Sequence, residues 1–238
     1  LNMSMLKHFF NIENGAENRK LFENLKISES KYMEEQGKYP VIFISFKNLE
    51  EENWENCLRK IKNLIGDLYN EFEFLREKLN KRDLKFFDSV WMEEDGVVWE
   101  SALKNLTRYL YEYYGKKKVI VLVDEYDTPI IQSYQEGYYK KAILFFKKFY
   151  GDALKDNDYL QFGIMTGILR IAKEGIFSGL NNLQVSSIFD KNFSESYGLT
   201  ESEVLEAVKY YDMEYEMNDI REWYDGYQFG NVEMYNPW

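Results

Sequence analysis

The chain has 238 residues, 45% hydrophobic and 18% aromatic, enough apolar mass to bury one sizeable core. Forty-one acidic against thirty basic residues give a formal net charge of -11, which argues against a general nucleic-acid surface and against direct nucleic-acid binding by this chain. One cysteine, Cys57, and one histidine, His8, exclude an internal disulfide and a soft-ligand zinc cluster; with no apolar run near the roughly 20 residues that span a bilayer, they point to a reducing cytoplasm and no membrane partner.

LNMSMLKHFF places Met3, Leu6, Phe9 and Phe10 at helical spacing with no strong cap before them. It reads as mid-helix and predicts that the natural protein extends upstream. PVIFISFKN (40–48) is strand-like, with Pro40 acceptable at its first position. The acidic run EEENWE (50–55) suits a helix start near the positive end of the dipole. A helix is predicted over 54–79, where Leu58, Ile61, Ile65, Leu68, Phe72 and Leu75 recur every three or four residues. A second, over 98–114, carries Leu103, Leu106, Leu110 and Tyr114 on one face, and KRDLKFFDSVWMEEDG between the two reads as a loop or short hairpin. VIVLVDEYD is a β-branched run without alternation, as expected of a central parallel strand covered on both faces.

A helix at 138–154 follows, then a buried strand LQFGIMTGI (160–168), a turn through ILRIAKEGIF and a further strand at LQVSSIF (183–189). This alternation predicts a doubly wound α/β fold with a mainly parallel sheet over residues 1–190. After Asp190 the pattern changes to two short helices, the first opened by a Thr200 to Glu203 capping box, which predict a small helical lid or tail over 191–238.

The stretch KVIVLVDEYDTP crowds Asp124, Glu125 and Asp127 at the carboxyl end of a buried strand. Their repulsion is tolerable beside a cation or polarised water, and that end is where open parallel sheets bind ligands. An apolar strand ending in Asp-Glu has the form of a Walker B element, in which the aspartate (Asp124) holds hydrated Mg²⁺ and the glutamate (Glu125) deprotonates the attacking water. The same pattern also fits a strand end whose acids merely cap the next turn, with Asp127 bonding backbone amides before Thr128 and Pro129. GIMTGILR adds a neighbouring strand ending in Thr166 and Gly167, with Arg170 slightly later. A hydroxyl there contacts the attacking water and an arginine the γ-phosphate; taken singly, Thr166 is equally a satisfied β-branched residue and Arg170 a surface or ion-paired one.

Through these blocks the chain resembles the predicted AAA-ATPase-like proteins, common in bacteria and often carrying a PD-(D/E)XK nuclease-like region after the ATPase part. The resemblance runs through LNMSMLKHFF, KYPVIFISFK, VIVLVDEYDTPI, TGILRIAKEGIFSGLNNL, WYDGYQFG and YNPW. It implies a P-loop NTPase-like fold, ATP and Mg²⁺ as cofactors, Asp124 and Asp127 on the cofactor side, and Glu125, Thr166 and Arg170 in catalysis. It also places FSGLNNL (177–183) beside the nucleotide strands. Ser178, Asn181 and Asn182 there hydrogen-bond phosphate or hold the sensor strand, a polar turn around Gly179 being the alternative.

In that family a phosphate-binding loop of the form RPRRFGKS or RPRRFGKT precedes the LNMSMLKHFF-like helix, so this chain starts just past it and is not expected to hydrolyse ATP efficiently by itself. WYDGYQFG resembles the family's lid segment, whose aromatic pair closes over the base; an aromatic core of the small helical region is the alternative. YNPW matches the boundary before the nuclease-like region, so nuclease activity is not expected of this piece.

The function expected is an ATP-driven switch acting on a protein partner or an attached nuclease-like region. One alternative is a non-catalytic interaction module on the same fold. Another is a metal-dependent nuclease with Asp124 and Glu125 as ligands, which the charge and the placement of Lys118 at the opposite end of the strand disfavour.

Overall fold

In the computed structural model residues 2–168, 183–213, 217–224 and 226–235 are described. Their elements, in order, are α1 (Asn2–Phe10), α2 (Gly15–Arg19), β1 (Val41–Ser45), α3 (Trp54–Glu71), α4 (Lys81–Trp91), α5 (Ala102–Tyr113), β2 (Val119–Asp124), α6 (Thr128–Gln135), α7 (Tyr139–Leu154), β3 (Leu160–Met165), α8 (Glu201–Tyr210), α9 (Met217–Tyr224), β4 (Tyr227–Phe229) and β5 (Val232–Met234). They fall into two compact units, Leu1–Asn181 and Asn182–Trp238.

In the larger unit β1, β2 and β3 form a parallel sheet in sequential order. Twisted strands favour right-handed crossovers, and crossovers that advance in one direction keep their helices on one face. Phe46, just past β1, accordingly packs against Phe146 and Tyr150 of α7, and the side chain of Leu154 at the end of α7 lies against Gly163 of β3. The opposite face is closed by α1. Met3, Val41, Ile120 and Leu122 form one buried cluster there, with Leu6, Phe10, Phe43, Phe162 and Ile164 packed around it. With helices on both faces, all five residues of Val119–Val123 are inaccessible, which is why VIVLV shows no polar alternation. The fold is α/β with a parallel sheet, consistent with the P-loop-like class expected.

Several elements differ from expectation. KRDLKFFDSVW forms a helix, α4, and no hairpin. Asn80 caps it by accepting from the N–H groups of Arg82 and Asp83 at 3.0 and 3.1 Å, and Phe87 and Val90, three positions apart, enter the core. The helix predicted over 54–79 breaks at Phe72, where α3 gives way to a 3-10 segment, Glu73–Glu77. Residues 183–189 form no strand, and Ile188 and Phe189 are exposed. An apolar run becomes a strand only where a neighbouring strand receives its hydrogen bonds.

In the smaller unit α8 begins with the predicted capping box between Thr200 and Glu203. β4 and β5 pair as an antiparallel hairpin, and Leu199 and Tyr235 exchange backbone hydrogen bonds at 3.0 and 2.8 Å. Among the described residues no helix is long and apolar enough to cross a membrane.

Candidate functional site at the carboxyl edge of the sheet

Strand side chains alternate with period two, so the set facing α1 (Val41 and Phe43, Ile120 and Leu122, Phe162 and Ile164) continues at the carboxyl ends to Ser45, Asp124 and Thr166. Ser45 stands directly beside Asp124 in the β1–β2 register. On the other side the parity depends on an irregularity: Val119 pairs with Leu160, but Ile120 pairs with Phe162, so Gln161 is an extra residue in β3. Beyond it the hydroxyl of Thr166 donates to Asp124 Oδ1 at 2.5 Å, and the Thr166 N–H donates to the Val123 carbonyl at 2.9 Å.

Glu125 leaves the strand with φ 51°, in the left-handed region. For a non-glycine residue this costs on the order of 1 kcal/mol and is held by its surroundings. Here the Tyr126 N–H, donating to the Thr166 carbonyl at 3.0 Å, holds the reversed backbone. The half-buried Glu125 carboxylate accepts a long hydrogen bond, 3.4 Å, from the Thr128 hydroxyl at the start of α6.

Asp127 is 1% exposed, and its side chain makes no capping bond to α6. Instead its Oδ2 accepts from the Ile168 N–H at 2.8 Å, tying the loop after β2 to the loop after β3. A β-carbon at Gly167 would lie 2.5 Å from Asp127 Oδ1 and 2.7 Å from Tyr126 Cε1, so a glycine is what lets the loops approach this closely. Tyr150 supports the turn from below, its hydroxyl donating to the Tyr126 carbonyl at 3.4 Å. Complete burial, with Tyr126 and Asp127 nearby, pushes this phenol well above its ordinary range and keeps it a neutral donor.

The direction of α1 completes the arrangement. The Tyr39 N–H, just before β1, donates to the Phe10 carbonyl at 3.0 Å, and Lys7 Nζ lies 5.5 Å from the Phe43 ring centroid. The helix therefore runs antiparallel to β1. Its nine residues, about 13 Å at 1.5 Å per residue, bring its N-terminus back to the carboxyl edge of the sheet. The amino-terminal end of α1, with Met3 in the cluster beneath it, therefore lies toward the Asp124 side of the sheet.

Among the described residues no three His, Cys, Asp or Glu side chains converge as a metal cage. One carboxylate among hydroxyls at the carboxyl edge of a parallel sheet still fits Mg²⁺, which takes one or two carboxylates and fills its other positions with waters and substrate phosphates. Of the residues singled out from sequence, Asp124 and Thr166 are in contact, while Glu125 and Asp127 occupy the adjoining turn. Arg170, Ser178, Asn181 and Asn182 lie outside the described residues. Sequence reasoning missed Ser45 and the tie from Asp127 to Ile168. Gly167 directly after Thr166 was the one available signal of the close loop approach.

Comparison with known proteins gives the same direction. The family described as predicted AAA-ATPase matches residues 1–177, and the chain belongs to this family. Among curated proteins, an uncharacterized protein in the vnfD 5' region of Azotobacter chroococcum mcd 1 is 34% identical over 125 residues, covering 52% of this chain and 24% of that protein. The matched part thus spans about a quarter of that relative's length. No solved structure matches the chain.

Proposed function

We propose that this chain holds the metal- and water-handling part of an ATP-binding, ATP-hydrolysing domain whose nucleotide cycle switches a protein partner or an attached module. The observation that carries this is the Asp124–Thr166 hydrogen bond at the carboxyl edge of a parallel sheet, on the face to which α1 turns its N-terminus. Asp124 is oriented by Thr166 through Oδ1, which leaves Oδ2 to hold the cation. Bound Mg²⁺ would neutralise and align the phosphates. The Thr166 hydroxyl, donating to Asp124, keeps lone pairs to accept from the attacking water. Glu125, thrown off the strand axis by its left-handed backbone, takes that water's proton without competing with Asp124 for the metal. Arg170 is assigned to the γ-phosphate, Ser178, Asn181 and Asn182 to the phosphate side of the site, and Asp127, through its bond to the Ile168 N–H, to holding together the loops that frame the cofactor. The amides that cradle the phosphates belong, by the family resemblance, to a loop ahead of α1.

The test is calorimetric titration of Mg-ATP into this chain and into the protein extended upstream through that loop. Binding by the extended protein alone supports the assignment; binding by neither replaces it with a non-catalytic interaction module. In the extended protein Glu125→Gln is expected to keep ATP affinity and lower hydrolysis by about 100-fold or more. Unchanged turnover removes Glu125 from its role.

A further inference from the structure

The net charge of the chain is not spread evenly. Residues 182–238 hold twelve acids against three bases, a net of -9, and the preceding 181 residues hold twenty-nine against twenty-seven, a net of -2. The acidic character that argues against nucleic acid therefore belongs to the smaller unit.

That unit also keeps large aromatic surfaces in solvent. None of the eight residues of α9 is buried. Trp223 is 80% exposed, and Tyr224 and Tyr227, at the end of α9 and the start of the hairpin, are each about half exposed. Scattered exposed side chains need no explanation, but aromatics grouped within one short helix and hairpin mark a surface that something covers. The cation of α9 itself, Arg221, is already paired with Glu201, while Asp219 and Glu222 on the same helix and Glu233 on β5 are exposed.

We propose that α9 and the β4–β5 hairpin form a docking surface for a lysine- and arginine-rich polypeptide segment. Complementarity of charge selects this occupant. An alkyl stem lies along an indole or phenol face, the cationic head sits over the π system, and neighbouring carboxylates take its remaining donors. Polyanions and anionic lipid surfaces are repelled by the same carboxylates. A second copy of the chain is a poorer fit, because its larger unit carries a net charge of -2 and its smaller unit -9, so neither offers a cationic surface overall. The surface lies in the smaller unit and does not depend on the ATPase assignment.

The test is fluorescence anisotropy of a labelled, unstructured Lys/Arg-rich peptide titrated with the 238-residue chain at physiological ionic strength, beside a Glu-rich peptide of equal length. Saturable binding of the basic peptide alone is expected. Trp223→Ala should weaken it by about tenfold, the worth of one well-placed cation–π contact. Because Trp223 is exposed the variant should fold, which circular dichroism verifies. Absence of saturable binding overturns the proposal. So does equal affinity in Trp223→Ala, which would reduce the effect to diffuse charge attraction. Sedimentation equilibrium showing a dimer that Trp223→Ala dissociates would assign the surface to a second copy and overturn it as well.

Discussion

Gly167→Ala tests the tie between the two site loops most directly. The added methyl would stand 2.5 Å from Asp127 Oδ1, 2.7 Å from its Cγ and 2.7 Å from Tyr126 Cε1, about 1 Å inside the usual separation of non-bonded heavy atoms. Neither neighbour can step aside cheaply. Asp127 is 1% exposed and engaged with the Ile168 N–H, and Tyr126 is buried with its backbone bonded to Thr166. Overpacking of this kind costs about 1–3 kcal/mol, and losing a hydrogen bond to a buried carboxylate adds about 1–3 kcal/mol. At about 2–4 °C per kcal/mol the melting temperature of the larger unit should fall by roughly 10 °C. Gly151→Ala is the control: it sits in α7 with nothing within 4 Å of the new β-carbon, and should raise stability by about 0.5–1 kcal/mol. Thermal and urea unfolding of both variants decide the matter. A Gly167→Ala protein that melts with the wild type would refute the steric argument and the Asp127 tie together.

Three further outcomes are expected. Thr166→Val removes the donor to Asp124 and should lower the urea-unfolding free energy by about 1–3 kcal/mol, whereas Thr166→Ser keeps the hydroxyl and should stay close to wild type. Arg108 of α5 donates to both carboxylate oxygens of Asp83 on α4, at 2.6 and 3.0 Å, and these bonds hold Asp83 below its ordinary value of 3.8. A depressed carboxylate contributes stability that is complete above its ordinary value and lost as pH falls through the lower folded value. Unfolding free energy measured below about pH 4 should therefore fall more steeply with pH in the wild type than in Asp83→Asn. Cys57 is inaccessible, and burial pushes its thiol up to about 11. Thiol labelling at neutral pH should be slow in the native protein and rapid in urea, and prompt native labelling would contradict its place in the core.

Much of the sheet was legible because its signals are local. VIVLV is a buried parallel strand on composition alone, and its carboxylates mark its carboxyl end. α4 was not legible, because its apolar residues mix with Lys, Arg and Asp in a β-prone stretch, and the deciding feature was the Asn80 cap. The strand expected at 183–189 failed for the reverse reason: apolar composition carries no record of whether a partner strand exists. In the site, Asp124 and Thr166 could be read from strand ends. The bond from Asp127 to Ile168 could not, since it spans 41 positions and exists only once both strands have paired. Ser45 follows VIFI with nothing in the local sequence to single it out.

The extra residue Gln161 joins the packing of the sheet to its chemistry. With an uninterrupted register from Val119 and Leu160, Asp124 would stand beside Met165, and Thr166 would turn to the α7 face. The same slip would move Phe162 and Ile164 away from α1 and bring Gln161 and Gly163 against Met3, Ile120 and Leu122. Phe162 and Ile164 are half-buried, so exchanging them for an amide and a bare backbone forfeits about half of the full-burial worth of each, about 1.5–3 kcal/mol for the two together, more than a single bulge's unpaired residue costs in lost hydrogen bonding, about 0.5–1.5 kcal/mol. Burial under α1, two and four residues before Thr166, therefore selects the interrupted register. Because side chains alternate with period two, that choice delivers the Thr166 hydroxyl to Asp124.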